Sequence, residues 1–199
     1  LRALPRGDDY LCANRRSSAD QRAGKGPARQ SPLSLNGASI HQGMATSTFA
    51  AQTVVPANAV VRIDDDVPFP VAAMMGCAVP TGAGAALRSA RVQPGDNVAV
   101  IGCGAVGLNA VMGAVVAGAA RVIAIDPMPE RRALATTVGA TEGAEPDQLD
   151  QLRDLDVVID AVGRPETYEQ AFFARDLAGT VVLVGVPTPE MKVPELPLI

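Results

Sequence analysis

The stretch Asn97-Val98-Ala99-Val100-Ile101-Gly102-Cys103-Gly104-Ala105-Val106-Gly107 decides the fold. An apolar run of strand length, NVAVI, passes directly into G-x-G-x-x-G. An Ala/Val/Met segment from Ala105 to Ala117 follows, with Gly118 as its expected C-cap. The glycine pattern alone is a weak signal. One that leaves a strand and opens a helix, inside a βαβ unit of about 30 residues, is the fingerprint of a dinucleotide-binding turn. Gly102 permits the sharp turn out of the strand, and Gly104 lets the backbone approach a pyrophosphate with no Cβ in the way. Gly107 lets the helix pack close to the sheet. Ala105 and Val106 then fall in the first helical turn, where free N–H groups and the helix dipole favour a phosphate.

Downstream, Asp126 ends the run RVIAI, 19 residues after Gly107. A carboxylate there accepts hydrogen bonds from the adenosine ribose hydroxyls and repels a 2′-phosphate, which favours NAD over NADP. Arg131 and Arg132 argue the other way, because an arginine just past this position can hold a 2′-phosphate. Beside Asp126 they read as ribose or solvent contacts. An FAD protein usually opens with its fingerprint near the N-terminus. A methyltransferase usually has an acidic residue before its glycines, whereas Val98 to Ile101 are all apolar.

The alternation continues to the C-terminal side. A helix is expected over Pro129 to Val138, a strand over Asp156 to Asp160, a helix over Glu166 to Leu177 and a strand over Thr180 to Val184. Continuous apolar strands separated by helices predict a parallel sheet covered on both faces, the doubly wound Rossmann class of α/β fold. Upstream, Thr81 to Leu87 is rich in Gly and Ala and predicts a helix packed closely on a neighbour, with Pro94-Gly95-Asp96 as a turn. Between Thr48 and Ile63, Thr53-Val54-Val55 and Val60 to Ile63 read as short strands, and Asp64-Asp65-Asp66 as a solvated turn. Ala13 to Pro32, with five basic residues and little to bury, reads as a surface loop.

Composition excludes several classes. The 199 residues suit one domain plus a piece of another. A net charge of -4 argues against a nucleic-acid partner. No apolar run approaches the roughly 20 residues of a membrane span. The stretch Val98 to Ile125 is interrupted by five glycines, Asn109 and Arg121. Three widely spaced cysteines make no disulfide framework, and no signal-peptide pattern opens the chain, so a cytoplasmic protein is expected. Leu1 at one end and the apolar stretch at Ile199 suggest a fragment.

Several segments beyond the fingerprint resemble one family. His41 to Val55, Met75 to Gly84, Pro94 to Gly107, Gly163 and Val184-Gly185-Val186-Pro187 are all similar to medium-chain, zinc-dependent alcohol dehydrogenases. The resemblance covers nearly the whole chain, and Gly-Cys-x-x-x-Thr-Gly at Gly76 to Gly82 is specific. The stretch Val157 to Met191 is especially similar to the mycothiol-dependent formaldehyde dehydrogenases, which oxidise S-hydroxymethyl mycothiol.

The resemblance implies part of a GroES-like, β-rich catalytic domain over residues 1–80. It implies a Rossmann NAD-binding domain without its last strand over 81–199. It also implies NAD and Zn2+ as cofactors, an alcohol or thiol–formaldehyde adduct as substrate, and a homo-oligomer for the intact protein. Position by position, Cys77 matches the third catalytic-zinc ligand and Thr81 the residue against the nicotinamide ring. Val106 and Val186 match apolar neighbours of that ring, and the backbone from Val184 to Val186 matches the carboxamide-binding segment. Val162 and Arg164 match the adenine side. Read without the family, Cys77 is an ordinary buried cysteine, Cys103 a small filler and His41 a loop or strand-edge residue.

The departures bear on activity. A catalytic zinc needs three protein ligands and an open position, and only Cys77 is in register here. In the structural zinc lobe Cys12 suits the fourth ligand, which places Leu4 and Leu1 at the third and second. A non-catalytic NAD(H)-binding paralogue is therefore the rival reading. A zinc-free NADPH reductase of the same superfamily would lack both Cys77 and Asp126.

Overall fold

A computed structural model of the chain describes residues 34–40, 49–53, 55 and 60–187. The expectations for Leu1, Leu4, Cys12, the basic loop 13–32, His41 and the segment 192–199 lie outside them. The chain divides into two compact units, Leu1–Arg62 and Ile63–Ile199.

In the first unit, β1 (Ser34–Leu35) and β2 (Ala38–Ser39) form an antiparallel hairpin. Asn36 and Gly37 turn it with φ of 51° and 79°, the left-handed pair a two-residue hairpin needs. No strand is present at Val60–Ile63; the strand expected at Thr53–Val55 includes Val54, which lies outside the described residues. Val60 and Val61 are exposed instead. A β-branched run measures fit to a sheet surface, not the pairing itself.

The second unit opens with two short helices. The Asp65-Asp66 turn leads into α1 (Phe69–Met75), and α2 (Ala78–Gly84) continues into one wider π-helical turn, Ala85–Ala90. Both helices fall within the second compact unit, which begins at Ile63. The reason is packing: α1 lies on α2, and α2 lies on the helix that follows the fingerprint. Among the described residues no single helix is long and apolar enough to cross a membrane. The pair formed by α1 and the helix after it reaches that length but bends by 49°.

Five parallel strands follow: β3 (Asn97–Ile101), β4 (Arg121–Ile125), β5 (Glu142–Ala144), β6 (Val157–Asp160) and β7 (Thr180–Leu183). Between them run α3 (Ala105–Ala117), α4 (Pro129–Thr137) and α5 (Pro165–Ala174), with a 3-10 turn at Pro146–Gln151. The spatial order is β5-β4-β3-β6-β7. The chain winds outward from β3 to β5, then crosses back to β6, so the switch lies between β3 and β6. This is the doubly wound Rossmann arrangement.

The pleat explains why the strands read as unbroken apolar runs. Val98, Val100, Val122, Ala124, Val157 and Ile159 face one side and meet Ala110, Val111 and Ala114 of α3. Ala99, Ile101, Ile123, Ile125 and Val158 face the other and meet Leu149, Leu155 and Ala171. Both faces are covered, so neither can alternate with polar residues. β5 escaped the sequence reading because Glu-Gly-Ala has no β-branched or aromatic residue. The helix expected to reach Leu177 stops at Ala174. Arg175 is already extended, and Leu177 and Ala178 lie in a turn with Ala178 at φ 63°.

Candidate nucleotide-binding site

The site is built at the carboxyl ends of β3, β4, β6 and β7. Gly102 leaves β3 at φ +89° and donates its N–H to the Ile125 carbonyl at 2.7 Å. A Cβ there would press on Val162 Cγ2 at 2.6 Å. Gly104 is the N-cap of α3, with an ordinary φ of -78°; no side chain caps the helix, and nothing lies within 4 Å of the position its Cβ would take. Gly107 is buried, and a Cβ on it would overlap the Gly102 carbonyl oxygen. Two of the glycines are thus required by protein packing. The third borders open space, beside uncapped helical N–H groups that suit an anion. Ala105 is exposed and Val106 half-buried at this turn.

Asp126 is buried at the end of β4. Its Oδ2 accepts from the Cys103 backbone N–H and its Oδ1 from that of Met128, both at 2.9 Å. The carboxylate therefore ties the fingerprint turn to its own strand end. Arg131 Nη1 stands 3.6 Å away on a side chain 52% exposed, while Asp126 shows only 2%. Arg132 is neither a free ribose contact nor a solvent contact. It donates to the Asp126 carbonyl at 2.6 Å and to Glu145 Oε1 at 2.9 Å.

Cys103 is buried among these groups. Burial pushes its thiol up to about 11, the Asp126 carboxylate adds to the shift, and Arg131 and Arg132 oppose it. The thiolate is the reactive form, so Cys103 is inert at neutral pH. Cys77 is exposed. Iodoacetamide at about pH 8 is expected to label Cys77 in the folded chain and Cys103 only after unfolding, as peptide mapping would show. Rapid native labelling of Cys103 would contradict its placement.

Asp160, at the end of β6, plays a part the sequence reading missed. It is fully buried; its Oδ1 accepts from Val162 N at 2.8 Å and Gly163 N at 3.2 Å, and its Oδ2 from the Thr167 hydroxyl at 3.1 Å. Its carbonyl accepts from Val184 N at 2.8 Å and Gly185 N at 3.0 Å. One residue thereby holds the loops after β6 and β7 together. Gly163 and Gly185 touch through their backbones, leaving no room for a Cβ on either. The available signal was an acidic residue ending an apolar strand, the same pattern that marked Asp126.

The remaining candidates surround this core. Val162 and Arg164 are exposed on the β6 loop, with Arg164 at the N-cap of α5; Val184 is half-buried and Val186 is 87% exposed. Cys77 is the N-cap of α2, and Thr81 is half-buried in that helix, donating its N–H to the Cys77 carbonyl at 3.0 Å. The neighbouring Gly82 abuts the Val106 backbone, which brings Thr81 to the first turn of α3. Among the described residues no three His, Cys, Asp or Glu side chains gather to hold a metal. A cavity of about 370 Å³ lies elsewhere, lined by Leu152, Arg153, Arg175 and neighbours at the amino ends of β6 and β7.

Residues 105–199 match the family model described as zinc-binding dehydrogenase. Over 187 residues the chain is 36% identical to alcohol dehydrogenase 6 of Peromyscus maniculatus, covering 88% of this chain and 49% of that one. The chain is thus similar to zinc-type alcohol dehydrogenases over its nucleotide-fingerprint region and beyond. It spans about half the length of this curated relative. An alcohol dehydrogenase zinc-binding domain protein from Burkholderia ambifaria superposes with a TM-score of 0.71 at 34% identity, over 75% of this chain and 43% of that one. A putative zinc-binding dehydrogenase from Sinorhizobium meliloti, solved bound to NADP, gives 0.55 at 31% identity, over 59% of this chain and 38% of that one.

Proposed function

We propose that this chain is the nucleotide-binding part of an NAD-linked alcohol dehydrogenase. The observation that carries the reading is the uncapped N-terminus of α3 with open space over Gly104, set beside a buried carboxylate at the end of β4. That combination suits a pyrophosphate next to a ribose.

In this reading the turn Gly102 to Gly107 holds the pyrophosphate and Asp126 the adenosine ribose, with Arg131 moving off the carboxylate as the ribose arrives. Val162 and Arg164 border the adenine. Thr81, Val106 and the segment Val184 to Val186 border the nicotinamide, whose ring takes up hydride when the cofactor is bound. Cys77 is proposed as one ligand of a catalytic zinc. The described donors do not complete such a site, so no step is derived through the metal. Within the family, the likeness of Val157 to Met191 supports S-hydroxymethyl mycothiol as the substrate of the whole protein. The rival reading, a non-catalytic NAD(H)-binding paralogue, would bind the dinucleotide equally well.

Titration of the chain with NADH and then NADPH, followed by nicotinamide fluorescence, tests the reading. Without tryptophan in the chain, protein emission interferes little. Saturable NADH binding is expected, with NADPH weaker by about tenfold or more, because Asp126 would face the added phosphate. Asp126→Asn keeps an acceptor for the Cys103 N–H but removes the charge. It should weaken NADH by about tenfold, the scale of one charge-assisted hydrogen bond, and narrow the gap to NADPH. Tighter NADPH than NADH in the unaltered chain would reverse the cofactor assignment. No binding of either by a folded chain would end it.

A further inference from the structure

Two arginines follow Asp126, and the fold uses them differently. Arg131 is half in solvent. Arg132 is 17% exposed, and its stem runs over Gly143 of β5, where a Cβ would come within 2.9 Å of Arg132 Cβ. Its guanidinium bridges the Asp126 carbonyl and Glu145 Oε1. Glu145 is steadied in turn, since its backbone N–H donates to Gln148 Oε1 at 2.7 Å. The end of β4, the first turn of α4 and the exit from β5 therefore meet on one side chain.

A guanidinium in this place has two uses. The Arg132 guanidinium already stands on the carbonyl of the residue whose carboxylate would meet the ribose; freed, its planar fork could bind a 2′-phosphate there bidentately. Pinned, it is withheld from phosphate and instead fixes the peptide that carries Asp126. We propose that the Glu145–Arg132 pair is a latch that sets dinucleotide preference. Glu145 keeps the Arg132 guanidinium on the Asp126 carbonyl and out of the 2′ position, which leaves Asp126 to select the unphosphorylated ribose. This inference rests on the dinucleotide-binding reading above. Glu145 acts through Arg132, so it is a positioning residue.

The pair is open to solvent on the Glu145 side, and exposed ion pairs contribute little to stability, so its loss leaves the fold intact. The test is Glu145→Ala in the full chain, with NADH and NADPH affinities measured at one salt concentration and thermal unfolding recorded for each variant. NADPH affinity should rise about fivefold while NADH changes by less than about twofold, the gain coming from one partly solvated guanidinium–phosphate contact. Glu145→Gln should shift the ratio in the same direction but less. Adding Arg132→Met to Glu145→Ala should abolish the gain.

An unchanged NADH-to-NADPH ratio in Glu145→Ala and Glu145→Gln chains that unfold at the unaltered temperature overturns the latch and leaves the dinucleotide reading standing. A gain that survives in the double variant also overturns it, because the responsible cation is then not Arg132. Failure of the unaltered chain to bind either dinucleotide removes both.

Discussion

Gly107→Ala is expected to lower the melting temperature by roughly 10 °C and to abolish saturable NADH binding, whereas Gly104→Ala abolishes binding with the fold intact. The two substitutions add the same methyl group within three residues of each other. At Gly107 the new Cβ would overlap the Gly102 carbonyl, with Ala161 Cβ at ordinary contact distance, 3.6 Å, behind it. The Gly102 peptide cannot yield cheaply, and Ala161 leaves no slack beyond it. The Gly102 peptide is fixed by its N–H bond to Ile125, and Ala161 N is bonded to the Ile101 carbonyl. Overpacking of this kind costs about 3 kcal/mol, and relief would come from pushing α3 off the sheet, which dismantles the phosphate turn as well.

At Gly104 the φ of -78° suits any residue, and the space beyond is open. The methyl group meets nothing in the free chain and stands where the pyrophosphate would lie. Circular dichroism melts with NADH titrations on both variants separate the two roles. Undiminished binding by a folded Gly104→Ala chain would show that the open space is not where the phosphate goes.

The contrast shows what was legible in the sequence. NVAVI, RVIAI and DVVID announced a two-face-covered sheet because burial on both sides leaves no polar position to break the run. The glycines were legible because only a missing Cβ satisfies both a tight turn and a close approach. Val60 to Ile63 misled because β-propensity describes a residue's suitability for a sheet, and pairing is decided by residues far away. β5 stayed hidden for the converse reason: Glu142 to Ala144 pairs with β4 through backbone groups that any sequence possesses.

The same distinction applies to the site. Asp126 was found from its distance to the fingerprint, a local regularity of the βαβ unit. The clasp of Arg132 on the Asp126 carbonyl was not, since it depends on Gly143 and Glu145 arriving from another strand. Such residues have no spacing signature. They emerge when the topology is known and each buried polar group is asked for its partners.

Asp160 is the strongest case, and Asp160→Ala is expected to cost about 3 kcal/mol while Asp160→Asn costs under about 1 kcal/mol. Alanine removes the acceptor of the Val162 and Gly163 amides and one acceptor of the Thr167 hydroxyl, with the Gly163 bond buried and the other two part-buried. Unpaired buried donors carry the full desolvation penalty. Asparagine can keep its oxygen on the two amides and turn its NH2 towards Thr167. The hydroxyl already has a second acceptor in the Arg164 carbonyl at 3.0 Å, so it can donate there and accept from asparagine. Urea unfolding of the three chains measures the difference. Because the Asp160 backbone also holds Val184 and Gly185, slackening in the alanine variant should spread from the β6 loop to the β7 loop. Hydrogen exchange should therefore accelerate at Val162, Gly163 and Gly185 together, with NADH weakened because both loops border the proposed cofactor. Faster exchange confined to Val162 and Gly163 would show that the loop after β7 is held independently, through its contact with Gly163 and its ladder to β6 alone.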